Sequence, residues 1–74
     1  RVTGGANGEV AGLTAWQLRL LAEVASGLTT REIAAKHVRS PETIKTLLEH
    51  AQLALGARNR PHAVAIAFRR GLLK

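Results

Sequence analysis

Only three residues, Val38-Arg39-Ser40, separate the end of one helix-forming segment from the start of the next. The first segment opens at Thr29-Thr30-Arg31-Glu32, where Thr29 is placed to cap and Glu32 to close a capping box from N3. It is short, about 30–37, with Ile33, Ala34 and Val38 as its apolar residues. The second opens at Ser40-Pro41-Glu42. Ser40 suits the N-cap, Pro41 suits N1, and Glu42 meets the positive end of the helix dipole. This helix should run to about Leu55, with Gly56 in the left-handed position after it. A connection so short leaves two helices little choice but to pack at a steep angle, which is the outline of a helix-turn-helix.

Two further helices flank this pair. Thr14 and Gln17 form a second capping box, and Gly27 ends the helix that follows. Leu18, Leu21, Ala22 and Ala25 are expected on its inner face, with Leu20 and Val24 beside them. The last helix starts near Asn59 or Arg60, carries Pro61 in its first turn and stops at Gly71. Val64, Ala67 and Phe68 are its expected inner face. In the long helix, Ile44, Leu48, Ala51 and Leu55 recur at i, i+4, i+7 and i+11, with Leu47 at the edge. No β-branched alternation occurs. The fold class expected is all-α, a four-helix helix-turn-helix domain over residues 13–74.

Residues 1–12 contain four of the seven glycines and neither helical nor strand periodicity. They read as a disordered, flexible linker or N-terminal extension of a piece taken from a longer protein. The net charge of +6 falls entirely after them, since Arg1 and Glu9 cancel. A domain of about sixty residues with that excess suits polyanionic partners. Other classes recede. The chain has no cysteine, so disulfides and thiolate metal sites are excluded. His37, His50 and His62 are too widely spaced for a local zinc site, so no metal is expected. There is no nucleophile–base signature and no room for a substantial pocket, so neither an enzyme nor a cofactor is expected. The apolar runs are too short to span a membrane, and the basic residues are too dispersed for a membrane-surface helix.

A major groove about 12 Å wide admits one helix. The long helix, about 41–55, carries a polar stripe of Glu42, Lys45, Thr46 and Glu49 suited to base edges. That stripe also holds two acids against one base. A second reading therefore stands beside DNA binding: a protein-interaction module with a degenerate helix-turn-helix, weak or absent DNA binding, and Leu47 and Leu53 as its contacts.

Certain residues carry a family resemblance: Leu13-Thr14, Gly27-Leu28-Thr29-Thr30-Arg31-Glu32-Ile33-Ala34, Ser40-Pro41-Glu42-Thr43-Ile44-Lys45-Thr46, Leu55-Gly56-Ala57-Arg58-Asn59-Arg60, Ala63-Val64 and Gly71-Leu72-Leu73. Together they resemble the LuxR-type (NarL/FixJ-like) C-terminal DNA-binding domain over residues 13–73. The resemblance implies the output domain of a bacterial, cytoplasmic and nucleoid-associated transcription regulator. It further implies double-stranded DNA as partner, a homodimer on DNA and an upstream sensory domain. Lys45, Thr46 and Glu49 fall on family positions facing the groove, where Glu49 is suited to accept from a cytosine amine. Thr30 and Arg31 fall where the first helix of the pair meets the backbone. Ser40, Thr43, His50 and Arg58 are candidate phosphate contacts, with capping the main role for Ser40. Arg60 is expected in a structural ion pair, and Ala63 and Ile66 fall on the dimerisation surface.

Several positions depart from the family pattern. Trp16-Gln17 replaces Arg-Glu, which removes the usual carboxylate partner of Arg60. Leu47 replaces His or Tyr, Ala54 replaces Lys, and His37 and Arg39 replace apolar residues. Weaker intrinsic DNA affinity than a typical member is the expected consequence, with reliance on dimerisation or the upstream domain. Val38 is expected to rotate inward or the turn to pack differently. His37 is read as a half-buried, hydrogen-bonded residue and Trp16 as a packing residue.

Overall fold

The computed structural model describes residues 12–73. The linker expected at 1–12 therefore lies almost wholly outside the described residues. Four helices follow in order: α1 Ala15–Ala25, α2 Thr30–His37, α3 Pro41–Leu55 and α4 Arg60–Arg69. No strand occurs among the described residues.

Each helix starts where a side chain satisfies its orphan N–H groups. Thr14 Oγ1 accepts from Gln17 N at 3.1 Å while Gln17 Oε1 accepts from Thr14 N at 3.0 Å. Thr29 and Glu32 repeat this reciprocal pair at 3.1 and 2.8 Å. Ser40 accepts from Thr43 N at 3.2 Å, and Asn59 from His62 N at 2.8 Å. The ends are equally local. Gly27, Gly56 and Gly71 take positive φ, and the following N–H reaches back to the helix: Leu28 to Glu23 O, Ala57 to Gln52 O, Leu72 to Ala67 O.

The end of α2 uses the same geometry without the same residue. Val38 sits at φ 55°, ψ 51°, and Arg39 N–H reaches Ala34 O at 2.9 Å. A β-branched side chain in the left-handed region clashes with its own backbone. Val38 does not rotate inward; its side chain is 89% exposed. Burial gives it no compensation, so the strain is held by the helices on either side of the turn.

The core is one cluster. Ile44, Leu48 and Ala51 are fully buried and Leu55 nearly so, which makes α3 the central helix, in contact with α1, α2 and α4. Leu20 and Leu21 of α1, Ile33 and Ala34 of α2, and Leu13 and Leu73 beyond the helix ends complete it.

Two expected faces differ. On α1, Gln17, Leu20, Leu21 and Glu23 are buried, while Ala22 and Ala25 are exposed. The helix turns its long side chains to α3 and α4, because an alanine gains little from burial. On α4, Ala63 and Ala67 are buried and Phe68 is 45% exposed. Two small residues one turn apart let α4 approach its neighbours closely, which rotates Phe68 outward. Ala63 is fully buried within the domain, so its side chain does not belong to an outer dimerisation surface. Ile66 is half-buried and packs against the core.

Val38→Gly relieves the left-handed strain without removing a buried contact. The expected gain is about 1 kcal/mol, which raises Tm by roughly 4–8 °C in a domain of this size. Thermal unfolding followed by circular dichroism measures it; an unchanged or lower Tm would show that the turn carries no strain.

Candidate nucleic-acid interface

The turn between α2 and α3 is braced by a cluster that reaches across to α1. Glu23, with a side chain only 10% exposed, accepts from Lys36 Nζ at 2.8 Å. Both its oxygens meet His37 Nε2, at 2.8 and 3.0 Å. Burial pushes the Glu23 carboxyl up, but the hydrogen bonds and charges of Lys36 and His37 outweigh it and leave the group below its ordinary value. Trp16 stands edge-on to His37, with ring centroids 4.7 Å apart. Arg39 also lies over the indole, 5.6 Å from its centroid. His37 is thus the half-buried, hydrogen-bonded residue expected, and Trp16 packs within the domain. The departures at 16, 37 and 39 are one arrangement. Together they hold both residues that flank Val38.

Braced in this way, α3 presents a clean division. Its buried stripe points inward, and on the opposite side Glu42, Thr46, Glu49 and Leu53 form one outward row. Lys45, His50 and Thr43 flank that row and are exposed. Glu42, Thr43, Thr46 and Leu47 line an open depression of about 280 Å3. Leu53 is 77% exposed. The helix carries two carboxylates and one ammonium, so it is net negative in a chain of net charge +6. Outside it, Arg31 of α2, Arg39 of the turn and Arg58 between α3 and α4 are exposed cations.

The remaining candidates are placed as follows. Ser40 Oγ caps α3 and lies 2.9 Å from Thr43 Oγ1, so the two hydroxyls hold each other at the helix start. Arg58 N–H donates to His62 Nδ1 at 3.0 Å, which fixes the α3–α4 turn and leaves the Arg58 side chain outside. Thr30 is half-buried. Its hydroxyl accepts from Arg60 Nη1 at 2.9 Å, a link between the first residue of α2 and the first residue of α4. Arg60 therefore makes no ion pair among the described residues; the only ones found there are those of Glu23. Gln17, in place of a carboxylate, completes its capping box and donates to Leu47 O at 3.3 Å, tying α1 to α3.

The Arg60–Thr30 link and the role of Glu23 were not expected from sequence. Glu23 does carry a signal, since it lies beside Leu20 and Val24 on the inner side of α1. No helix among the described residues is long and apolar enough to cross a membrane, and no cluster of three His, Asp or Glu suited to a metal occurs among them.

The sequence model of the bacterial regulatory proteins, luxR family, matches residues 11–67. The chain belongs to that family. It is accordingly a helix-turn-helix DNA-binding domain of the luxR type, of the class that regulates transcription. No curated protein matches the chain. In luxR-family terms α2 and α3 are the helix-turn-helix pair and α3 is its second helix.

The depressed carboxyl of Glu23 sets a pH dependence. Its folded-state value lies below the unfolded one, so its contribution is complete above 4.5 and is lost as pH falls through the lower folded value. Glu23→Gln is expected to cost about 1–2 kcal/mol at neutral pH. It should also flatten the loss of stability on acidification. Urea unfolding at pH 7 and in the carboxylate range measures both, and parallel pH profiles for parent and variant would remove Glu23 from the account.

Proposed function

We propose that this domain binds duplex DNA sequence-specifically by laying α3 in the major groove. The reading further makes it the output domain of a longer bacterial regulator, acting in the cytoplasm at the nucleoid. The observation that carries it is the outward row of α3. A buried stripe fixes the helix from behind, and on the opposite side Glu42, Lys45 and Thr46 offer hydrogen-bonding or charged groups over its first two turns. Such a face suits base edges, which present donors and acceptors in a fixed pattern.

Roles follow from placement. Lys45, Thr46 and Glu49 face the bases. Glu49 is acceptor-only when ionised, so it selects the cytosine amine and repels misplaced phosphate. Arg31, Arg58 and Thr30, with Thr43 and His50 on the flanks of α3, grip the backbone and set the register. Leu47 is half-buried and Ala54 offers no donor, so the grip has fewer contacts and the single domain binds weakly. Two copies on a two-fold-related site supply the missing affinity. With Ala63 buried, Ile66 is the residue of the earlier pair left for that contact.

A protein-interaction role has one observation in its favour. Leu53 continues the outward row of α3 and is 77% exposed.

The test is a titration of amide NMR shifts with a duplex at low and at moderate salt. Shifts centred on Arg31, Ser40–His50 and Arg58 that weaken steeply with salt are expected. Arg31→Ala should lower affinity and reduce the slope against log salt by about 1. In a selection from random duplexes, Glu49→Gln should change the preferred base at one position from cytosine to adenine, a discrimination of about 1–3 kcal/mol. The absence of any shift at low salt would favour the protein-interaction reading and make Leu53 the residue to mutate.

A further inference from the structure

We infer that Arg60 belongs to the phosphate grip, acting as a positioning residue through Thr30. The inference rests on the DNA reading above and goes beyond it, since the sequence places Arg60 in a structural ion pair by preference.

A guanidinium is always charged and carries five N–H donors and no acceptor. That of Arg60 has one hydrogen-bond partner among the described residues, the Thr30 hydroxyl. Its Nε is buried with no partner, and no carboxylate among the described residues pairs with it. The residue is half-buried, so water rather than a carboxylate reaches the rest of the guanidinium, and the charge has no protein counter-ion among the described residues. The one partner it does have is informative. Arg60 donates, so the Thr30 oxygen spends a lone pair and keeps its own proton. No described acceptor takes that proton. A hydroxyl polarised by a cation is a strengthened donor, and on a half-buried residue that donor suits an incoming anion.

The surroundings identify the anion. Thr30 opens α2 beside exposed Arg31, and Arg60 begins α4 two residues after exposed Arg58. The hydrogen bond between Thr30 and Arg60 joins these two basic segments. A phosphate diester oxygen accepting from Thr30 would stand two hydrogen bonds from Arg60 Nη1, within about 6 Å. At that range it is the counter-charge the guanidinium lacks. Arg60 thus contributes to affinity without touching the backbone, and it fixes the Thr30 hydroxyl in the orientation that does.

The salt dependence of binding separates this role from a structural one. A random-sequence duplex pool is titrated against parent, Arg60→Gln, Arg60→Lys and Thr30→Val over a salt series, with folding checked by circular dichroism. Arg60→Gln is expected to bind about tenfold more weakly at low salt, with a slope of log K against log salt reduced by about 0.9. Arg60→Lys keeps the charge and the slope. Thr30→Val weakens binding several-fold, and Arg60→Gln added to it costs less than it does alone. A folded Arg60→Gln with the parent slope overturns the inference while leaving DNA binding intact. Should Arg60→Gln not fold, Thr30→Val decides: a several-fold loss with a lowered salt slope that Thr30→Ser restores supports the inference, and full affinity or a loss with the parent slope overturns it. A parent chain that binds no duplex at low salt overturns the DNA reading itself, and this inference with it.

Discussion

Ile44, Leu48, Ala51 and Leu55 are covered by all three other helices, and the rest of the molecule is arranged around that stripe. Burying a leucine or isoleucine side chain is worth about 1.5–3 kcal/mol, a large fraction of the stability a domain this size can hold. The outward residues of α3 inherit their positions from this burial. A helix whose inner stripe has one solution has an outer row with one direction. The direction of its exposed side chains is therefore set by the core behind them.

The turn before α3 is where that arrangement is under most tension. Val38 occupies a backbone conformation that the other three helix ends assign to glycine. It stays there because both neighbours are tied down. His37 is held by Glu23 and Trp16, and Arg39 lies over the same indole. Strain of this kind persists where the surroundings over-determine it. The cluster also ties α1 to the last turn of α2, so a carboxylate on α1 braces the turn that leads into α3.

What was legible in the sequence was local. Thr14, Thr29, Ser40 and Asn59 cap, and Gly27, Gly56 and Gly71 close, because each acts within four or five residues along the chain. The α3 stripe was legible because four residues in strict helical register leave one face. The α4 face was not: Val64, Ala67 and Phe68 are as periodic as Ala63 and Ala67, and only the close approach of α1 and α3 decides between them. Of the candidate interface, the exposed row of α3 followed from the period alone. The pairing of Thr30 with Arg60 and of Glu23 with Lys36 and His37 joins residues from different helices, and nothing in their spacing announces it. Trp16, His37 and Arg39 looked like three separate departures and are one contact.

The charge on α3 has a further consequence. The helix that would read bases is net negative, while the cations that would hold the backbone stand on α2, on the turns and at the start of α4. On the proposed reading, strength of attachment and choice of target lie in different residues. Altering Thr46 or Glu49 would then shift the preferred operator and keep the grip, and altering Arg31 or Arg58 would change occupancy and leave the preferred operator as it was. The two properties would be free to drift independently.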